Sequence, residues 1–421
     1  MLEKIELDNG LKIYLLPDNN KHTTYINLIV NFGGKDNEVK INGKNHTIKS
    51  GIAHFLEHLV LESSAYGDLM RIFGMRGVGS NGFTSIDRTQ FYIDCVEEVE
   101  NNLGILLSGI HSPIINKDVI NNIRGPILEE KRRSLDSKDT SSIYNASISA
   151  ILDTKNFKSI LGDLSDIESI KEKDIELAFN SFYRPDNEII VIGGRFNKDN
   201  IINVIKEVYN DIEFKDIKIE KVKVLHKKEV NKKKVKVIED INLEKSIISF
   251  KIDTLNMLPY DKLMLDTYLY YFLKNNFGVT STLNTNLVNR NIIIGNINYS
   301  CDLVEGYHVI RVEANTKKMN LFNDIIIDYF KNKKFIFDEE YFNLCKRNYI
   351  IDLITRSDDI YRTIDPLIEN IVSFKYDGLD TIKDRENILF DTYKDIILNL
   401  DFSNYNIAML KKNKKELIFL D

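Results

Sequence analysis

The sequence contains no tryptophan, only 6 prolines and only 3 cysteines in 421 residues. Cys95, Cys301 and Cys345 are odd in number, far apart and in no CxxC pattern, which argues against a disulfide scaffold or a cysteine-based zinc site. A reducing, cytoplasmic compartment is expected. No apolar run approaches the length of a membrane-crossing helix. The opening residues, Met1-Leu2-Glu3-Lys4-Ile5-Glu6, lack the basic-then-apolar order of a secretory signal. There is no surplus of positive charge either. Lys+Arg is 57 against 63 Asp+Glu, a net charge of -6, so neither nucleic acid nor a membrane is an expected partner. What remains is an ordinary globular balance, 43% apolar and 29% charged. At this length one core is not enough, and two domains of roughly 200 residues each are expected.

Both halves show the same order of local patterns. Residues 3–16 read as a hairpin about Asn9-Gly10, and 25–32 as a strand. The polar stretch 36–49 reads as a surface loop. From Ser50, a candidate N-cap, the spacing Ile52, Phe55, Leu56, Leu59, Val60 predicts a helix. A short helix at 67–75 and strands at 80–84 and 89–96 follow. Helical patterns then cover 98–110, 117–136, 141–152 and 167–183, before a buried-type strand at 187–193 and a helix at 199–209. Lysine dominates 214–236, which reads as a solvated linker and an exposed strand (Val235, Val237, Ile238) rather than a basic docking patch. The second half gives strands at 246–252, 292–300, 306–314 and 405–410, and helices at 260–276, 320–332, 338–355 and 381–398. Repetition of strands, helices and a closing strand predicts an α+β fold of two related domains, 1–220 and 221–421.

The chemistry concentrates in His54-Phe55-Leu56-Glu57-His58. Residues four apart lie on one helical face, so His54 and His58 can aim nitrogens at one metal. Glu57 shares that face and is placed to take a proton from water that a zinc ion has made acidic. Seven histidines in 421 residues make a chance HxxEH a matter of roughly one such chain per hundred, so a third ligand has to be found. The Glu129-Glu130 pair in the 117–136 helix is the candidate, although an acidic pair on a helix is ordinarily a solvated face. The other histidines, His22, His46, His111, His226 and His308, sit in no ligand spacing and read as surface or packing.

Taken with these motifs, residues 1–215 resemble the pitrilysin/insulysin/mitochondrial-processing-peptidase family of inverted-motif zinc metallopeptidases. The resemblance rests on Asn9-Gly10-Leu11, the GIAHFLEH block (Gly51–His58), GSNGFT (Gly79–Thr84), ILEE (Ile127–Glu130), the Asp166–Ile170 and Asp174–Ile175 block, and Tyr183–Asn187. It implies Zn2+ held by His54, His58 and Glu130, the last lying 72 residues after His58, with Glu57 as general base. It also implies that Asn81, Gly82, Phe83 and Thr84 form an edge strand pairing with the substrate backbone. Such pairing binds peptides without demanding particular side chains. The implied activity is a zinc metalloendopeptidase acting on peptides or unfolded segments enclosed between two halves. The alternative within the family is a non-catalytic subunit.

The sequence departs from the family pattern in three places. Ile123 stands where a further Glu is common, and Gly125-Pro126 is expected to kink the ligand helix. In the second half, Val288 and Gly295 align with the family's Arg and Tyr that close over the substrate carbonyl. Arg290 and Tyr299 are the nearby substitutes. The resemblance therefore implies a dimer, and the missing pair favours a heterodimer with a related chain of similar length over a homodimer.

Overall fold

The computed structural model describes residues 1–136, 141–152, 160–215, 218–222 and 227–413. Among them the chain forms two compact units. The first comprises 1–136, 160–222 and 357–368; the second comprises 141–152, 227–356 and 369–413. Among the described residues no helix is long and apolar enough to cross a membrane.

In chain order, the first stretch supplies β1 (Glu3–Glu6), β2 (Lys12–Pro17), β3 (Thr24–Val30), β4 (Glu38–Ile41) and β5 (Lys44–Thr47). Then come α1 (Ile52–Glu62), α2 (Leu69–Met75), β6 (Gly79–Thr84), β7 (Thr89–Cys95), α3 (Val99–Ile110) and α4 (Lys117–Asp136). After α5 (Ser141–Ile151) follow α6 (Leu164–Ser169), α7 (Glu172–Phe182), β8 (Glu188–Gly194), α8 (Lys198–Asp211) and β9 (Ile219–Lys221). The remainder supplies β10 (Lys234–Glu239), β11 (Lys245–Ile252), α9 (Pro259–Phe277), α10 (Thr282–Asn289), β12 (Ile294–Val304) and β13 (Tyr307–Asn315). It closes with α11 (Met319–Lys331), α12 (Glu339–Arg356), α13 (Ile360–Glu369), α14 (Ile382–Glu386), α15 (Phe390–Asn399) and β14 (Tyr405–Lys412).

The main sheet of the first unit runs β1-β2-β8-β3-β7-β6. β3 and β8 are buried along their whole length, which is why both read as unbroken apolar runs rather than as alternating strands. The second unit's sheet runs β10-β14-β11-β13-β12. The two sheets share one pairing scheme. A parallel pair (β2 with β8, β10 with β14) is followed by three antiparallel steps ending on β6 or β12. That shared topology makes the units related α+β domains, as the repeated local patterns predict. Beside β14, β10 exposes Lys234 and Lys236 and turns Val235 and Val237 partly inward. Charge on such an edge discourages pairing with another chain.

Several local expectations are corrected. Residues 36–49 hold the β4–β5 hairpin, joined at Asn42 (φ 49°) and Gly43 (φ 78°) and extended by β9. Two successive positive φ values are the two-residue hairpin turn that Asn-Gly encodes, and the shortness of the strands, with only Val39 and Ile41 apolar, hides it. The helix expected over 167–183 is two helices, because Ile170 and Lys171 are extended and Asp174 caps the second. The helix expected over 381–398 is likewise split into α14 and α15, and α10 and α13 were not anticipated. Gly125-Pro126 does not interrupt α4, which runs through Pro126. Proline removes only one hydrogen bond, while buried Ile120, Ile123 and Ile127 fasten the helix to the core on both sides of it.

Of the remaining histidines, His22 is exposed and His46 half-buried, while His226 lies outside the described residues. His111 is buried with Nε2 3.0 and 3.1 Å from the Glu188 carboxylate, which also accepts from the Tyr209 hydroxyl at 2.6 Å. Burial opposes its protonation, but the charge and hydrogen bonds of Glu188 prevail and raise it above the ordinary imidazole range. His308 is buried beside Thr254.

Candidate metal centre

The site is built on α1, a helix buried along almost its whole length in the first unit's core. Its N-cap is Gly51 rather than Ser50, with φ 82°, a conformation that disfavours a side chain. A Cβ there would also lie 2.6 Å from the Leu161 carbonyl oxygen. Ser50 instead anchors the entry to the helix. Its hydroxyl donates to Asp166 at 2.7 Å and accepts from the Asp163 amide at 3.0 Å. The Asp166–Ile170 block of the sequence is thereby tied to the start of the HxxEH helix.

One and two turns into α1, His54 and His58 face each other edge to face, their ring centroids 4.8 Å apart. α4 brings Glu130 to them. Its Oε2 is 3.5 Å from His54 Nε2 and 3.9 Å from His58 Nε2, and one ligand atom from each residue lies within 4.8 Å of the others. These separations are too long for good hydrogen bonds. They are close to the spacing of about 3.4 Å that tetrahedral ligands around a zinc with bonds of about 2.1 Å require. Two imidazole nitrogens and a carboxylate oxygen are a zinc-type donor set, and they leave a fourth position open. His54 is held neutral, pulled down to about 4 by burial and then by His58, so its ring nitrogen keeps its lone pair. Its Nδ1 is buried with no hydrogen-bond partner among the described residues. The residues fit the metal. Glu129 stays outside the group and pairs with Arg132 at 2.5 Å.

Glu57 is buried between the ligands and the edge strand β6. Burial raises its carboxyl above the ordinary range, opposed by a 2.6 Å hydrogen bond that Thr84 Oγ1 donates to Oε2 and by His58. Gly82 permits this closeness, since a Cβ on it would meet Leu61 Cδ1 at 2.9 Å and Glu57 Cγ at 3.3 Å. Among the described residues β6 is the last strand of its sheet and pairs only with β7. Asn81 reaches the Tyr92 hydroxyl at 3.2 Å, and Phe83 is part-exposed beneath the Arg88 guanidinium. Of the four edge-strand residues, Thr84 bonds to Glu57, and Gly82 stands where a side chain would crowd it.

Two residues near this group were not anticipated. Glu62 accepts from His58 Nδ1 at 2.7 Å, a contact legible in hindsight because position i+4 is the next turn of the same face. Tyr183 has a buried hydroxyl with no partner among the described residues, and burial followed by the charges of Glu57 and Glu188 keeps it well above its ordinary range. Its place beside Glu57 carries no sequence signal. Arg290 and Tyr299 belong to the second unit. Arg290 is exposed just after α10, and Tyr299 is half-buried on β12 against the second core.

The Thr84 contact gives a prediction. Thr84→Val keeps the shape but removes the donor that fixes Glu57, and is expected to lower kcat about 10-fold with KM nearly unchanged, since a hydrogen bond to a charged group is worth about 1.5–3 kcal/mol. Thr84→Ser should restore most of it. A Thr84→Val enzyme with full kcat would disprove the contact's role.

Fold and side chains together define a chain of the zinc-protease kind. It belongs to peptidase family M16. Residues 13–163 match Insulinase (Peptidase family M16), and residues 169–349 match the Peptidase M16 inactive domain. The uncharacterized zinc protease YmfH of Bacillus subtilis is 28% identical over 204 residues, 48% of this chain and 47% of that protein. The matched stretch thus spans about half the length of that relative. Among solved structures, a protease from Helicobacter pylori superposes with a TM-score of 0.80 at 19% identity, covering 98% of this chain and 99% of that one. The periplasmic protease PqqL of Escherichia coli superposes with a TM-score of 0.75 at 14% identity, covering 98% of this chain but 48% of that one. The same two-unit fold therefore occurs both as a whole chain and as half of a longer one.

Proposed function

We propose that this chain is a zinc-dependent endopeptidase that hydrolyses peptides or unfolded segments. The observation that carries the reading is the convergence of His54, His58 and Glu130 beside a buried, oriented Glu57. His54, His58 and Glu130 would hold the ion. Zinc, when bound, supplies a Lewis acid that polarises a carbonyl and lowers the pKa of water toward ~7. Glu57 accepts the proton of the attacking water and returns it to the leaving amine. Thr84 holds Oε2, which leaves Oε1 for that exchange. β6 pairs with an extended peptide and sets its carbonyl near Glu57. The first unit carries all of this machinery.

We propose further that the working form contains a partner. At the positions aligned with the family's Arg and Tyr, Val288 is partly buried in the second core and Gly295 has no side chain, so neither donates to a developing oxyanion. A related chain of similar length supplies those donors. The test is peptide hydrolysis with zinc content measured alongside. Hydrolysis should follow the zinc and vanish on chelation. The chain alone should be weak, with a gain of ~10²-fold when the partner is added, the typical worth of one oxyanion donor. Full activity from this chain alone, abolished by Arg290→Ala or Tyr299→Ala, would refute the heterodimer and reinstate those two residues.

A further inference from the structure

The two histidines of the metal centre are held differently. Both present Nε2 toward Glu130, at 3.5 and 3.9 Å, but among the described residues only His58 has a partner on its far nitrogen. That partner is Glu62, the last residue of α1, with Oε1 2.7 Å from Nδ1. An ionised carboxylate can only accept, so the proton of the neutral His58 ring sits on Nδ1 and the lone pair on Nε2. His54 needs no such clamp, because its ring is buried among the core residues of α1 and held by its surroundings. His58 is more open, at 26% side-chain exposure. Without Glu62 its ring has two tautomers and freer rotation about its side-chain bonds.

We propose that Glu62 is a positioning residue for the metal centre, fixing the tautomer and ring orientation with which His58 meets the ion. The inference rests on the zinc-peptidase reading above. The bland reading of the same contact is an exposed i,i+4 pair that adds a little helix stability. The two differ in what they change, since a helix pair alters unfolding of the metal-free chain, whereas a positioning residue alters affinity for metal.

The experiment is competition for Zn2+ against a chromophoric chelator, using the full chain with Glu62→Gln and Glu62→Ala, and Glu129→Gln as a surface control. Gln keeps an acceptor without charge; Ala keeps neither. Expected is a graded weakening, about 10-fold for Glu62→Gln and up to about 100-fold for Glu62→Ala, the range for losing an outer-shell partner of a metal ligand. Unfolding temperatures of the metal-free chains should stay close together, and Glu129→Gln should bind as the parent does. If the parent binds zinc and cleaves peptide while every Glu62 variant binds within twofold of it, the inference falls and the function stands. If the parent neither binds zinc nor cleaves peptide, both fall. A readout without any substitution is nitrogen NMR of the zinc-loaded parent labelled at histidine. It should show His58 protonated at Nδ1, and a proton on Nε2 overturns the assignment.

Discussion

Glu57→Gln is expected to keep its zinc, keep its affinity for peptide and lose hydrolysis by roughly 10²–10⁴-fold, the range for removing a general base. The amide is nearly isosteric with the carboxylate and can still accept the Thr84 hydrogen bond, so the fold around it should not move. What it cannot do is take a proton. Glu57 is already set apart from an ordinary surface carboxylate, being buried and raised above the usual carboxyl range while Thr84 fixes one of its oxygens. The check is kcat on a fluorogenic peptide with zinc measured in the same preparation. Undiminished activity would remove Glu57 from the mechanism. Loss of zinc would make it a ligand or a support for one.

The ligand substitutions have the other large effect. His54→Ala, His58→Ala and Glu130→Ala should each lose most of the bound zinc and, with it, hydrolysis beyond the loss in Glu57→Gln, because the Lewis acid itself is gone. Glu129→Ala should retain both. This carboxylate is exposed and already paired with Arg132, so it is the natural control for its neighbour. Metal analysis of the purified variants decides the matter. Zinc lost from Glu129→Ala and kept by Glu130→Ala would move the third ligand by one residue.

Where the sequence was informative, the reason is local. His54 and His58 are legible because helical spacing alone puts them on one face, whereas Glu130 is singled out from Glu129 only by the family resemblance, since an acidic pair on a helix carries no local sign of which carboxylate turns inward. The contact of Thr84 with Glu57 joins residues 27 apart through strand-to-helix packing that no periodicity announces. Tyr183 is further still, at the end of α7, and comes under the charge of Glu57 because α7 packs on α1. The 36–49 hairpin is hard to read for a different reason, since its one apolar alternation, Val39 and Ile41, spans only four residues and β5 has none. The split of 167–183 turned on two extended residues inside an otherwise helical pattern. Breaks of that kind come from tertiary anchoring, here Lys49 bonding to Asp174 at 2.7 Å from another part of the chain.

The exchange of segments between the two units bears on how this protein can be divided. Residues 141–152 lie between α4 and α6 of the first unit yet complete the second, where Ile143 joins Ile247, Ala408 and Leu410, and Tyr144 donates to Glu313 at 2.6 Å. Residues 357–368 come late yet complete the first, where Asp365 accepts from Tyr25 at 3.2 Å and Tyr361 meets the Tyr25 ring. Severing the chain midway therefore yields no pair of self-sufficient modules. Each fragment carries away a piece of the other's interior, so mixed fragments would have to trade those pieces before either folds. Gene fission, or transplanting the metal-bearing half onto another scaffold, is obstructed by the path of the backbone itself, independently of anything that happens at the active centre.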